Sequence, residues 1–136
     1  MASRGRGARQ KGFQFERDIA RVFSDATLEE FKRGLGQTRG GGGEVPDVVP
    51  SKKALADKLH IECKRQKVCS IKGAMKQAKE DIEKRKASNP DINPVPIVIT
   101  KDDRKDTLVT MELDDFIELF SAWYFEYAPR GLSETI

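Results

Sequence analysis

Alternating apolar and polar residues mark the segment LHIECKRQK (59–67) as a β-strand. Side chains in a strand point alternately to opposite faces, so Leu59, Ile61 and Cys63 share one face. His60, Glu62 and Lys64 share the other face. The apolar set predicts the side that packs on the core, and the opposite side is then either a solvated face or a functional site.

The rest of the pattern predicts a mixed sheet with helices packed on it, which is an α/β fold in a single domain. The apolar residues of the central helix are spaced as one stripe, with Ser70 as its N-cap. The predicted helices cover Lys11 to about Ser24, Ile71 to about Ala87, and a last segment capped by Asp114. The predicted strands besides 59–65 are 34–39, 45–50, 95–100 and 107–113.

The two ends differ in composition from the middle of the chain. Residues 1–10 are rich in arginine and glycine and are predicted to form a flexible basic arm. Residues 129–136 are predicted to form a flexible tail. The folded domain is therefore expected to span 11–128.

Composition narrows the class of protein. With 38% hydrophobic and 35% charged residues, the chain suits a soluble globular protein. It contains no apolar run that would span a membrane and no visible secretory signal. Two cysteines, Cys63 and Cys69, are too few for a disulfide framework. Together with the single histidine they are also too few to supply the four ligands of a structural zinc site. We therefore expect a reducing, cytoplasmic environment.

The charges are sorted along the chain. Residues 52–86 carry twelve Lys/Arg against five Asp/Glu, whereas residues 102–136 carry nine acids against three bases. The lysines of 76–86 alone are typical of a solvated helix face. The whole pattern favours a basic face that binds a polyanion, and nucleic acid is the predicted partner.

Glu16 lies in an unusual place on the first helix. On a helical wheel it falls within the apolar cluster of Phe13, Ile19, Ala20 and Phe23. A partly buried carboxylate needs a cation or a proton. An internal salt bridge and a functional acid are equally consistent with this position.

A second carboxylate, Asp47, lies between Pro46 and Pro50. Alone, this segment is typical of a turn before an edge strand. Together with Glu62 and Lys64 on the next strand it forms the pattern P-D…E-x-K. Asp47, Glu62 and the Cys63 backbone carbonyl can ligate a hard divalent cation, and Lys64 can hold the water that attacks a phosphodiester.

These motifs resemble the PD-(D/E)xK nuclease superfamily, and within it the archaeal-type Holliday junction resolvases and their phage-encoded relatives. The resemblance covers about 11–120 and rests on KGFQFERDIARVF, TRGGGG, VPDVVP, HIECK and PVPIVIT. It implies a restriction-endonuclease-like fold and a Mg²⁺-dependent endonuclease, with Mn²⁺ as a substitute. It also implies a homodimer that cuts branched DNA, in the host cytoplasm if the protein is phage-encoded.

The resemblance also suggests roles for individual residues. Asp47 and Glu62 would ligate the metal, Lys64 would serve the water, and Glu16 would be a further acid on the metal side. Arg39 would contact DNA phosphate, and the other predicted DNA contacts are Arg4, Arg6, Arg9, Lys11, Arg65, Lys67 and Lys72. The resolvases tend to have a serine in the loop before the aspartate, where this chain has glycines and Glu44. That departure bears on the preference for branched DNA more than on the chemistry.

Three further questions stay open at the level of sequence. A nuclease acting on unbranched DNA would keep the same catalytic residues, and a DNA-binding module without catalysis would keep the basic residues. Gln77 is most simply a solvated polar residue. The aromatic residues of 116–127 and the exposed side of 107–113 either form a dimer interface or close one end of the sheet.

Overall fold

The computed structural model describes residues 4–35 and 45–128, with only the backbone of Arg4. In chain order the elements are α1 (Arg4–Thr27), β1 (Phe31–Arg33), β2 (Val48–Pro50), α2 (Lys53–Ala56), β3 (Leu59–Gln66), α3 (Ile71–Ser88), β4 (Val95–Asp102), β5 (Thr107–Thr110) and α4 (Leu113–Tyr127).

Within these residues the strands form one five-stranded mixed sheet in the order β1-β2-β3-β4-β5. Neighbouring strands are antiparallel except for β3 and β4, which are parallel and are connected through α3. A parallel pair needs such a long crossover connection because the chain must return to the starting edge. The arrangement confirms the predicted single-domain α/β fold of the restriction-endonuclease-like class.

Helices cover both faces of the sheet. α1 packs on one face, where its side chains join those of β1–β4 in the main core; its buried members are Phe15, Ile19, Ala20, Phe31, Val48, Ile61, Cys63 and Ile99. α3 packs on the other face through Ala74 and Ala78 against Val98. The predicted core side of β3 is therefore correct, and its opposite face lies largely under α3 rather than in solvent.

The first helix differs from its prediction in two respects. It begins at Arg4 rather than Lys11, so residues 4–10 are helical and residues 5–10 are exposed; the flexibility of the arm stays a prediction. Gly5 and Gly7 disfavour a helix, but the arginines, Ala8 and Gln10 favour it, and the packed part of α1 provides a nucleus that this segment extends. Phe15, not Phe13, is in the core; Phe13 remains 36% exposed.

Other boundaries also differ. β1 was not predicted; it buries the aromatic ring of Phe31. Of the strand predicted at 34–39, residues 34 and 35 are not in a strand, and 36–39 lie outside the described residues. The strand predicted at 45–50 is limited to β2, and the short α2 was not predicted. Glu112, rather than Asp114, is the N-cap of α4. The Ser70 cap is confirmed, since its hydroxyl accepts a hydrogen bond from Gly73 N at 3.1 Å.

The end of the domain near β5 and α4 has an exposed apolar surface. Within the described residues α4 buries no side chain. Leu108 and Val109 of β5 are 55% and 63% exposed, so both faces of that short strand carry exposed apolar side chains. The described aromatic residues therefore do not close one end of the sheet. No helix in the described ranges is long and apolar enough to cross a membrane.

Candidate active site

Asp47 is held between β1 and β3 by its backbone and its side chain. Its amide donates to Ile61 O at 3.0 Å, and its carbonyl accepts from Gly34 N at 2.9 Å. Its Oδ2 accepts from Cys63 N at 2.9 Å. A Cβ on Gly34 would lie 1.9 Å from Pro46 O, so only glycine permits this close approach. Asp47 is thus fixed beside the middle of β3.

Glu62 and Lys64 lie on the face of β3 that packs towards α3. Glu62 is 7% exposed and lies opposite Val98 in the ladder with β4. Lys64 is half-buried and interacts electrostatically with both Asp47 and Glu62. The structure therefore brings the P-D and E-x-K residues together, as the spacing predicted.

Glu16 approaches the same site from α1. Its Oε2 accepts from Arg33 Nε at 3.1 Å, and the Arg33 guanidinium carbon lies 4.1 Å from the centre of the Phe13 ring. Glu16 is also close enough to Asp47 and Glu62 to affect their ionisation. The geometry is consistent with both the structural and the functional interpretation of Glu16, because it forms an internal salt bridge and also lies beside the other acids.

The protonation of the carboxyl groups reflects their burial. Burial, followed by the charge of Glu62, raises the pKa of Asp47 to about 7, against the opposing effect of the hydrogen bond from the Cys63 amide. Burial also raises the pKa of Glu62 to about 7. The two carboxyl groups lie close enough to affect each other's ionisation, so they titrate as a coupled pair. Burial and Asp47 together raise the pKa of Glu16, against the opposing effect of Arg33.

These carboxylates fit a hard divalent cation. Two buried acids with raised pKa values, and a third beside them, concentrate negative charge that a cation would neutralise. Mg²⁺ prefers carboxylate oxygens and usually keeps several waters. Asp47 and Glu62 would hold such an ion and Glu16 would lie beside it. The contact that the structure shows for Cys63 is through its amide nitrogen, and ligation by its carbonyl stays a prediction.

Next to Glu62 lies a second buried cluster that the sequence did not reveal. His60 is fully buried, and its Nε2 lies 2.9 Å from Glu62 Oε1. Asp81 of α3 is buried beside them, and the three side chains have ligand atoms within 4.8 Å of one another. Burial, followed by the charge of Arg85, lowers the pKa of His60 to about 4, so its ring is neutral at pH 7.

Most of the predicted DNA contacts that the structure describes are exposed. Arg6, Arg9, Lys67 and Lys72 are exposed. Lys11 is exposed and pairs with Asp103 at 2.8 Å, close to Arg65, whose Nε is buried without a hydrogen-bond partner among the described residues. The side chain of Arg4, and Arg39 and Glu44 entirely, lie outside the described residues.

The sequence did not indicate Arg33, Asp81 or Arg85 as parts of this site, and it placed His60 on the face of Glu62 and Lys64 without assigning it a role. The sequence contained one signal for Asp81. On the helical wheel of α3 it falls beside the apolar residues Ala74 and Ala78, just as Glu16 falls within the apolar cluster of α1. Gln77, expected to be solvated, is exposed but donates to Asp81 Oδ1 at 3.0 Å. Nothing in the local sequence pairs Arg33 with Glu16 or Arg85 with His60.

A mixed sheet that places Asp47 beside Glu62 and Lys64 defines a PD-(D/E)xK nuclease fold. Comparison with known families matches residues 7–130 to the family described as "Phage putative PDDEXK endonuclease". The chain belongs to this family. No curated protein and no solved structure matches it.

Proposed function

We propose that this protein is a Mg²⁺-dependent endonuclease that cuts DNA, preferentially branched DNA such as four-way junctions, as a homodimer in the host cytoplasm. The observation that carries the proposal is the convergence of Asp47, Glu62 and Lys64 beside Glu16. Three acids with raised pKa values and one lysine form a site suited to metal-assisted hydrolysis of a phosphodiester.

Each residue has a distinct role in this proposal. Asp47 and Glu62 would hold the cation, and a bound divalent cation would supply Lewis-acid chemistry at the phosphoryl oxygen and the attacking water. Lys64 orients the attacking water and offsets negative charge in the transition state. Glu16, restrained by Arg33, is a further acid on the cation's side.

Binding of DNA is assigned to basic side chains away from the acids. Arg6 and Arg9 are exposed on the projecting first turns of α1, and Lys67 and Lys72 are exposed after β3 and at the start of α3. Contacts from these side chains to phosphates would release counterions and provide affinity that does not depend on sequence. The net charge of +3 agrees with a polyanionic partner.

A dimer follows from the symmetry of the substrate and from the exposed apolar surface. Resolving a four-way junction requires paired cuts in opposing strands, and one site per chain then calls for two chains about a two-fold axis. On α4 the rings of Phe116, Phe120, Trp123 and Tyr127 follow one another at centroid distances of 6.0, 5.6 and 5.5 Å. These rings form an exposed apolar face on α4, which a second copy would cover.

A cleavage panel tests the proposal. Four-way junction, flap, fork and plain duplex are incubated with the protein and Mg²⁺, and the products are resolved on denaturing gels. We expect junction cleavage that Asp47→Asn, Glu62→Gln and Lys64→Ala each abolish while binding persists; Glu16→Gln should reduce the rate strongly. Asp25→Asn, at an exposed acid on the same helix as Glu16, is the matched control and should cleave like the wild type.

The panel also separates the alternatives. Equal cleavage of all four substrates would indicate a nuclease for unbranched DNA. Binding without cleavage in any substrate would indicate a DNA-binding module, and full activity in an Asp47, Glu62 or Lys64 variant would refute the assigned site.

A further inference from the structure

The environment of His60 determines which of its ring nitrogens carries the proton. Nδ1 lies 3.1 Å from Nη1 of Arg85, and Nε2 lies 2.9 Å from Oε1 of Glu62. A guanidinium can only donate hydrogen bonds, so Nδ1 must accept. In the neutral ring the proton is then on Nε2, which donates to Glu62.

Arg85 is itself held in place by backbone groups. Its Nη1 donates to Leu59 O at 2.9 Å, and its Nη2 donates to Ala56 O at 2.8 Å. These carbonyls belong to β3 and α2, so the guanidinium is anchored independently of the site. A chain of contacts therefore runs from the backbone through Arg85 and His60 to the Glu62 carboxylate.

We propose that His60 and Arg85 are positioning residues, which fix the rotation of the Glu62 carboxylate so that it is preorganised to hold the cation. The inference rests on the proposed function, in which Glu62 is a metal ligand. A carboxylate that is free to rotate would lose entropy when it binds the cation, whereas one held by a buried donor has already lost that freedom.

The same geometry argues against His60 as a metal ligand in the cluster with Glu62 and Asp81. Ligation through Nε2 would require the proton to move to Nδ1. An N–H there would oppose the donor of Arg85 at 3.1 Å. His60 therefore acts on the cation through Glu62 rather than by direct contact.

Metal binding by variants in the absence of DNA tests this role. His60→Leu removes both ring nitrogens, whereas His60→Gln keeps an amide that can accept from Arg85 and donate to Glu62. Ile82→Ala is the matched control, because Ile82 is a buried residue of α3 without a polar side chain. Calorimetric titration with Mn²⁺ gives the dissociation constant, and thermal melting gives the stability.

We expect His60→Leu to weaken Mn²⁺ binding roughly 10–100-fold, the usual effect of removing the partner of a metal ligand. His60→Gln should recover most of this affinity, and Arg85→Met should weaken binding as His60→Leu does. Ile82→Ala should lower the melting temperature and leave the dissociation constant unchanged. The Mg²⁺ concentration for half-maximal cleavage should rise in the same variants.

The tautomer of the wild-type protein can be observed directly. His60 is the only histidine of the chain, so its ring nitrogens can be assigned in ¹⁵N-labelled protein without ambiguity. We expect the neutral Nε2–H form at pH 7. An Nδ1–H form would overturn the inference, because Nε2 could then not donate to Glu62, and this result does not depend on whether the variants fold.

The outcomes separate this inference from the proposed function. If the wild type binds Mn²⁺ and cleaves, Glu62→Gln does neither, and His60→Leu binds Mn²⁺ as the wild type does, the positioning role is wrong and the nuclease assignment stands. If the wild type neither binds Mn²⁺ nor cleaves DNA, the proposed function is wrong and the positioning role is wrong with it.

Discussion

Replacing Glu62 by glutamine should stabilise the metal-free protein at alkaline pH although it abolishes cleavage. Glutamine keeps the acceptor for His60 and offers an amide to Asp47, so it preserves the shape of the site while removing a buried charge. A cation site holds several carboxylates close together, and when the cation is absent their mutual repulsion lowers the stability of the protein.

The magnitude follows from the pKa of Glu62, which burial raises from 4.5 to about 7. Each unit corresponds to ~1.4 kcal/mol, so the ionised carboxylate destabilises the folded state by about 3 kcal/mol at pH 8 and by less than about 1 kcal/mol at pH 5. Between the unfolded pKa of 4.5 and the folded pKa of about 7, the Glu62 carboxyl keeps a proton in the folded state that it has released in the unfolded state. The free energy of unfolding therefore falls as pH rises. The glutamine variant does not show this fall.

Thermal melting in EDTA at pH 5 and pH 8 measures the effect. We expect Glu62→Gln to melt on the order of 5–10 °C above the wild type at pH 8, and the difference to shrink at pH 5. His60 titrates in the opposite sense near pH 4–6.5 in both proteins. Removing the charge of Glu62 also lowers the pKa of Asp47, which increases the difference at pH 8 in the same direction. Saturating Mg²⁺ at pH 8 should raise the melting temperature of the wild type and not that of the variant.

A matched control uses an exposed acid of α3. Glu80→Gln also removes one negative charge but no buried one, and its melting temperature should differ from the wild type equally at both pH values. If Glu62→Gln behaved as this control does, the raised pKa and the buried charge at the site would be refuted.

Three further predictions concern the rest of the molecule. The double variant Arg6→Ala/Arg9→Ala should bind DNA with a weaker salt dependence: the slope of log binding constant against log salt concentration should decrease in size by roughly 0.9 for each phosphate that is no longer neutralised. Fluorescence anisotropy measures this slope, with Arg21→Ala as the control. An unchanged slope would exclude Arg6 and Arg9 from the DNA interface. Trp123→Arg should convert the dimer into a monomer, which light scattering at micromolar protein measures. Phe125→Arg, on the opposite side of α4, should have a smaller effect. A monomeric wild type that still makes paired junction cuts would contradict the dimer. Leu28→Gly should raise the free energy of unfolding, measured by chemical denaturation, by about 1 kcal/mol. Leu28 follows α1 with a φ of 61° and is 93% exposed, so glycine would relieve backbone strain without loss of buried surface. A less stable variant would contradict this reasoning.

The local pattern of the sequence was sufficient for the elements whose stability depends on a regular apolar face. β3, α3 with its Ser70 cap, and β4 were predicted close to their observed bounds, because their periodicity and their capping are local properties. The same holds for Asp47, Glu62 and Lys64, since neighbouring strands bring residues of fixed spacing together. The predicted roles of these residues stay predictions.

Only the tertiary structure determined what surrounds these residues. The predicted start of α1 was wrong because the extension of the helix depends on a part that is already packed. β1 was not predicted because a three-residue strand is defined by its partner rather than by its own pattern. Arg33 meets Glu16 from 17 positions away, and Arg85 meets His60 from 25. Such interactions leave no periodic signal, because they depend on how α1 and α3 pack on the sheet. The sequence by itself therefore determined the order of the elements and the acids of the candidate site, whereas packing determined the burial that raises their pKa values and the partners that orient them.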